Sequence, residues 1–247
     1  MQRYDLGFIS NRDLFNHVKE TVEKYRFKID LKKFNKNLID PIKLTFDSKV
    51  YGKSLEDIIE SEIIRQMDKS NTNHIGYFHQ NIFKYIDSDW EVPEQGFDLI
   101  NERQKIYVEM KNKHNTMNSS SSQKTYISMQ NKILHGANIK CMLVEVIAKN
   151  SQNIPWKISI NGQTFEHENI RRVSIDKFYE IVTGERDAFK KLCQVLPKVL
   201  EDVVASMEVE TIENSVFEQL SAISPNLLKS LYMLSFNKYE GFEDFNV

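Results

Sequence analysis

The chain has 247 residues, 40% hydrophobic and 28% charged, enough to bury one good core or one core and a small satellite. Its 8 Gly and 5 Pro do not cluster and low complexity is confined to the serines at 119–122, which excludes collagen-like, repeat and wholly disordered architectures. A net charge of -2 argues against a protein that coats nucleic acid by bulk attraction. No apolar run reaches the roughly 18 residues of a membrane span, and the start Met1-Gln2-Arg3-Tyr4-Asp5 lacks the apolar core of a signal peptide, so a cytoplasmic protein is expected. Cys141 and Cys193 both sit in apolar segments and neither belongs to a CxxC pair. A zinc ribbon and a disulfide framework are thereby excluded, and two reduced core thiols are expected.

Residues 11–25 set Leu14, Phe15, Val18 and Val22 at helical spacing, with Ser10 or Asn11 as cap. Residues 34–51 break at Asp40-Pro41 and then alternate loosely, which predicts a turn followed by an extended piece. Ser54 caps a second predicted helix over 55–69, with Glu56 and Asp57 at its positive end. On it Leu55, Ile58, Ile59 and Ile63 form the buried stripe; Glu62 falls inside that stripe, and a carboxylate facing inward needs a partner. Residues 97–100 and 105–111 predict two strands joined at 101–104. A polar stretch over 112–118 leads to a helix that one of the serines at 119–122 can cap and Gly136 can end. Residues 140–148 are nearly continuously apolar, as in a central strand covered on both faces, and Asn161-Gly162 signals a hairpin turn. Helices are predicted over 175–182, 186–207 with Pro197 kinking or dividing it, 212–220 and 226–236. This order suits an α/β fold, a mixed central sheet flanked by helices. One domain, 1–247, is expected, with an N-terminal elaboration over 1–53, a core over 54–148 and a hairpin with C-terminal helices over 149–247.

Positive charge is gathered in particular segments. Residues 1–53 hold 12 Lys and Arg against 7 Asp and Glu, and no acid occurs between Glu109 and Glu145, where Lys111, Lys113, Lys124, Lys132 and Lys140 fall. From Pro197 onward the balance reverses, with 9 Asp and Glu against 3 Lys. Such a chain can hold a phosphate backbone in one groove while the rest of its surface repels it.

The segments Gly96-Phe97-Asp98 and Tyr107-Val108-Glu109-Met110-Lys111 carry the chemistry. In a strand, alternate residues share a face, so Glu109 and Lys111 point one way while Val108 and Met110 point to the core. With a two- or four-residue turn, Asp98 is expected across from Tyr107 and one diagonal from Glu109, about 7–8 Å between Cα atoms. Two carboxylates at that distance can share one hard divalent cation. Mg²⁺ suits them, since it is held by one or two carboxylates together with water and substrate phosphate oxygens. Such an ion neutralises charge developing at phosphorus and lowers the pKa of a bound water, and a neighbouring lysine can orient that water. Glu62 is a further candidate carboxylate for the site.

Asp98, Glu109 and Lys111 match the PD-(D/E)xK nuclease pattern, with Gly96-Phe97 where that pattern often has Pro or another turn residue. The stretches FNKNLIDPIKLTFDSKVYGKSLEDIIESEI, HIGYFHQNIF, GFDLINERQKIYVEMKNKHNTMNSSSS and SIDKFYEIVTGERDAFKKLCQVLP resemble type II restriction endonucleases of the group that cuts GGNCC sites, over roughly 11–200 of the chain. The resemblance implies a restriction-endonuclease-like core with additional N- and C-terminal helices. It also implies a Mg²⁺-dependent homodimer that cleaves both strands of a short palindromic site in double-stranded DNA, leaving 5′-phosphates, with a DNA methyltransferase as functional partner. Carried over, Asp98 and Glu109 would bind metal, Lys111 would assist the attacking water, and Glu62 would be the helix-borne carboxylate beside them. Lys113, His114, Asn115, Asn118, Gln123 and Lys124 are chemically suited to DNA and adjoin the site in sequence, so they are the candidate DNA contacts. The rival readings are a structure-specific nuclease of repair or recombination and a non-catalytic DNA-binding protein.

Overall fold

The computed structural model describes residues 3–114, 116–207, 213–239, 242 and 245. In chain order the elements are α1 (Asn11–Glu23), β1 (Lys28–Ile29), α2 (Leu31–Asn35), α3 (Pro41–Tyr51), α4 (Leu55–Asn81), α5 (Phe83–Ile86), β2 (Leu99–Asn101), β3 (Ile106–Lys113), α6 (Ser119–Leu134), β4 (Lys140–Ile147), β5 (Asn153–Pro155), β6 (Ile158–Ile160), β7 (Gln163–Phe165), β8 (Ile170–Ser174), α7 (Ile175–Thr183), α8 (Ala188–Ala205), β9 (Glu213–Asn214), α9 (Val216–Ile223) and α10 (Leu227–Phe236). They fall into two compact units, one of residues up to 23 together with 75–207, the other of 24–74 together with those from 208 onward. Among the described residues no helix is long and apolar enough to cross a membrane.

The first unit is built on a five-stranded mixed sheet in the order β2-β3-β4-β8-β5. Strands β3, β4 and β8 run parallel, and β2 and β5 close the edges antiparallel. The α/β expectation, a mixed sheet flanked by helices, is what the chain forms. Period-two alternation divides the sheet between two cores. On one face Val108, Met110, Met142, Val144 and Val173 pack with Leu14 and Val18 of α1, Phe178 and Tyr179 of α7, and Leu192, Val199 and Val203 of α8. On the other, Tyr107, Cys141, Leu143 and Ile170 pack with Tyr126 and Met129 of α6 and with Trp156. The nearly unbroken apolar run of β4 follows from this double coverage, its residues 141–145 all being buried. The β6–β7 hairpin turns at Asn161 (φ 51°) and Gly162 (φ 80°), the left-handed pair its tight turn requires.

Local capping matches the sequence at some termini. Ser10 Oγ accepts from the Asp13 N–H at 3.0 Å and Ser54 Oγ from the Asp57 N–H at 3.0 Å, whereas Asn226, expected as the first residue of its helix, is its cap, with Oδ1 accepting from the Lys229 N–H at 3.2 Å. Other expectations are corrected. Residues 41–51 form the helix α3 and not an extended piece, because Asp40 accepts from the Lys43 N–H at 3.1 Å, Pro41 sits in the first turn and Gly52 ends the helix at φ 62°. The alternating apolar residues that suggested a strand are mostly exposed there: Ile42, Phe46 and Val50 line one outward row of α3, and Leu44 faces the core. The helix begun at Leu55 continues to Asn81, well past 69. α8 runs unbroken through Pro197, with Leu192 packed before the proline and Val199 and Val203 after it. The helix expected from Ile212 begins at Val216 and is preceded by β9; Ile212 itself lies outside the described residues. Cys141 is a core thiol whose pKa burial pushes up to about 12, whereas Cys193 is exposed on α8.

The second unit packs Ile29, Phe34, Leu44, Ile58, Ile59 and Ile63 against Val216, Leu220 and Leu231. It contains a parallel two-stranded pairing of β1 with β9, in which chain segments nearly two hundred residues apart meet as Lys28 opposite Glu213.

Candidate active site

The two strands that carry the acids are paired in a register that differs from expectation. Leu99 lies opposite Val108, Ile100 opposite Tyr107 and Asn101 opposite Ile106, which leaves residues 102–105 as the connecting turn. Continued by one residue, this register sets Asp98 across from Glu109 and not from Tyr107. The shift arises because Asn101 completes β2: its side chain accepts from the Gln104 N–H at 2.8 Å and closes the turn one residue later than the apolar pattern suggested. Asp98, in the bend just before β2, is thereby placed at the Glu109 end of β3, where both carboxylates meet Lys111.

Before Asp98 the backbone passes through Gly96 at φ 98°, a left-handed conformation that L side chains rarely adopt and glycine adopts freely. Phe97 then anchors the segment, its ring 5.5 Å from that of Tyr107. Past the end of β2 the Met110 N–H meets no strand, and Asp98 Oδ2 accepts from it at 2.7 Å. A backbone donor thus fixes the orientation of this carboxylate. Lys111 Nζ donates to Glu109 Oε1 at 2.6 Å and lies 3.8 Å from Asp98 Oδ2. The alternation expected for 108–111 holds: Val108 and Met110 are buried in the opposite core while Glu109 and Lys111 share the polar side. Burial raises the Glu109 pKa above the usual carboxylate range, the negative charge of Asp98 raises it further, and the Lys111 hydrogen bond offsets only part of this.

A cleft of about 470 Å³ opens here, lined by Gly96, Phe97, Glu109 and Lys111, by Thr116 and Met117, and by Ser121, Lys124, Thr125 and Ser128 of α6. Among the proposed DNA contacts, Lys124 therefore lines the same cleft as Glu109 and Lys111. Lys113 is exposed at the end of β3, two residues beyond Lys111 on the same alternation. His114 is held against Glu145 of β4 at 3.1 Å. Asn118 caps α6 by accepting from the Ser121 N–H at 2.8 Å, a task the sequence reading gave to a serine. Gln123 Nε2 donates to the Ser159 carbonyl of the β6–β7 hairpin at 3.2 Å. Asn115 lies outside the described residues. Two lysines of the acid-free stretch are placed away from these contacts: Lys132 sits 4.0 Å above the Tyr107 ring and Lys140 is exposed where β4 begins.

Glu62 belongs to the second unit. Its carboxylate accepts from the Arg65 guanidinium through both oxygens, at 2.6 and 2.5 Å, and from Gln66 Nε2 at 3.0 Å. These are the partners that its inward position required. Burial alone would raise its pKa, and the hydrogen bonds from Arg65 and Gln66 outweigh burial and lower it. Sequence reasoning missed Glu145 and Arg172, and it missed the small hydroxyl side chains of the cleft wall. The first had one signal, a lone acid within the apolar run at 140–148; the second had another, the helical spacing of Ser121, Thr125 and Ser128.

The model of the Eco47II restriction endonuclease family matches residues 6–205. The chain belongs to this family. The matched region contains Asp98, Glu109 and Lys111 and stops before α9 and α10. Two curated relatives agree. The chain is 34% identical over 209 residues to the type II restriction enzyme Sau96I of Staphylococcus aureus, covering 80% of each. It is 31% identical over 212 residues to the type II restriction enzyme Eco47II of Escherichia coli, covering 81% of this chain and 88% of that one. No solved structure matches the chain. Membership in this family makes the chain a type II restriction endonuclease, an enzyme that hydrolyses DNA phosphodiesters.

Proposed function

We propose that the protein is a type II restriction endonuclease that cuts both strands of DNA at GGNCC, with Asp98 and Glu109 as metal ligands and Lys111 assisting the attacking water. The observation that carries this reading is the meeting of those three side chains, Lys111 Nζ being 2.6 Å from Glu109 and 3.8 Å from Asp98, beside a cleft that Glu109 and Lys111 line, in a chain of this family. The donor set fits Mg²⁺. Two hard carboxylates, one on β3 and one just before β2, meet the same lysine, and burial together with the negative charge of Asp98 raises the Glu109 pKa, a penalty that a cation at the site would relieve. When bound, the ion supplies charge neutralisation at the scissile phosphate and a water of lowered pKa.

The chain's own residues do the rest. The Met110 N–H keeps Asp98 oriented, Lys111 holds the nucleophilic water by hydrogen bonding and offsets charge on the phosphorane oxygens, and Lys124 draws the DNA backbone into the cleft. Water oxygen adds to phosphorus, the P–O3′ bond breaks, and a 5′-phosphate and a 3′-hydroxyl remain. A palindromic duplex presents two equivalent scissile phosphates, and this reading pairs two copies of the chain about the two-fold axis of the site. It also requires a methyltransferase that protects the same sequence in the host, in the cytoplasm that both would share. Lys113, Asn115, Asn118 and Gln123 stay within the proposed DNA-facing segment, whereas the His114 ring is engaged by Glu145 and takes no part in this reading. Glu62 has no step in this scheme: its Arg65 and Gln66 bonds support a role in holding α4.

Unmethylated phage DNA incubated with the purified protein, with and without Mg²⁺, tests the proposal by sequencing of the fragment ends. Ends at GGNCC, formed only with the metal, are expected. A smear or junction-only cutting would instead identify a structure-specific nuclease, and binding without cutting under any divalent ion a DNA-binding protein.

A further inference from the structure

One buried charged cluster in the first unit takes no part in the scheme above. Glu145 lies on β4, the central strand, and is 1% exposed. Its Oε1 accepts from Arg172 of β8 through Nε at 3.0 Å and through Nη2, and its Oε2 lies 3.1 Å from His114 Nδ1. A carboxylate engaged by a guanidinium acts here as the acceptor, so Nδ1 of His114 carries the proton. Glu145 is also the direct neighbour of Lys111 across the parallel β3–β4 pairing. A polar row thus crosses the sheet from Asp98 through Glu109 and Lys111 to Glu145 and Arg172.

Three separate bonds hold His114. Its N–H donates to the Ile147 carbonyl at 3.0 Å, its carbonyl accepts from Arg172 Nη2 at 3.4 Å, and its ring is tied to Glu145. Two residues later Thr116 and Met117 line the cleft together with Glu109 and Lys111. An ion pair buried in a strand otherwise filled by apolar side chains gives little net stability, since desolvation offsets most of the attraction. Its geometry, however, locks the chain just beyond the catalytic strand to β4 and β8 at once.

Resting on the nuclease reading, we propose that Glu145 and Arg172 are positioning residues: they fix His114 and with it the Thr116–Met117 wall, so that a scissile phosphate meets Glu109 and Lys111 in one orientation. Misplacement of about 1 Å at a reacting centre costs on the order of a hundredfold in rate. The experiment compares wild type, Glu145→Gln, Arg172→Lys, His114→Ala and the Glu145→Gln/His114→Ala double variant. Single-turnover cleavage of a duplex bearing the site, its Kd in Ca²⁺ and the melting temperature are measured for each. The expected result is a loss of about a hundredfold in cleavage for Glu145→Gln and for His114→Ala with Kd near the wild-type value, and no further loss in the double variant, because both act through one contact. Arg172→Lys keeps the charge and loses the planar fork, so it is expected to melt near wild type and still cleave slowly. Full cleavage by His114→Ala, or additive losses in the double variant, would overturn the proposal. If Glu145→Gln does not fold, His114→Ala and Arg172→Lys decide it. A wild-type protein that cuts no DNA overturns the nuclease reading itself, whereas a wild type that cuts beside variants that cut equally overturns this inference alone.

Discussion

Replacing Glu109 by Gln is expected to stop cleavage, with a loss of about a thousandfold or more, while the protein becomes more stable in the absence of metal. The carboxylate is pushed above its usual pKa by burial and by Asp98, so the fold favours its protonated form. The sign follows by linkage: the folded protein binds this proton more tightly than the unfolded chain does, so Glu109 favours folding below the ordinary carboxylate range. That contribution is lost as pH rises through its raised pKa. At neutral pH the ionised group is therefore a cost to the fold, and Gln, which is isosteric and neutral, removes it. Melting in metal-free buffer is expected at a higher temperature for Glu109→Gln, and duplex binding in Ca²⁺ should be kept or strengthened because a carboxylate facing phosphate has gone. In metal-free buffer the difference in melting temperature between Glu109→Gln and wild type should close as pH falls, because Glu109 then becomes neutral as well. Asp98→Asn is the companion variant, since its amide oxygen can still accept from the Met110 N–H and preserve the local fold. Near-normal turnover in Glu109→Gln, or loss of its DNA binding, would remove this residue from the metal site.

Lys111→Ala should cut more slowly than wild type by about two to three orders of magnitude with its fold intact. Lys111 is the cation that meets both acids, at 2.6 Å from Glu109 and 3.8 Å from Asp98. Without it the two carboxylates repel with no ammonium between them, so the Glu109 pKa should rise further and the acid limb of any residual activity should move to higher pH. That shift separates loss of a charge partner from simple loss of a phosphate contact, which would lower the rate at every pH alike. Unchanged turnover would sink the assignment. A lowered rate with an unmoved acid limb would keep Lys111 at the phosphate and remove it from the pairing with Glu109.

Much of the site was legible because strand alternation is local. Val108 and Met110 are apolar, Glu109 and Lys111 are charged, and a period of two sends the pairs to opposite faces without knowledge of any partner strand. The central position of 140–147 was legible for the same reason, since a nearly continuous apolar run has no face to show to water. Caps at Ser10 and Ser54 are likewise short-range chemistry. Residues 41–51 misled because alternation also occurs by chance on an exposed helix, where Ile42, Phe46 and Val50 project outward; the stronger cue was Asp40-Pro41, a cap followed by a first-turn proline.

By itself the sequence determined the strand that carries Glu109 and Lys111, the face those two share, the cores on either side of the central strand and membership in a nuclease family, all properties written in neighbouring residues or in long collinear similarity. Tertiary structure decided what depends on residues distant along the chain. The turn that ends at Lys105 set Asp98 opposite Glu109, and the Met110 amide oriented it. β4 and β8 brought Glu145 and Arg172 to His114 across gaps of 31 and 58 residues. β9 joined β1 from the far end of the chain. Register and burial of charge are energies of pairing, and a pair has no energy until the fold has chosen its partners.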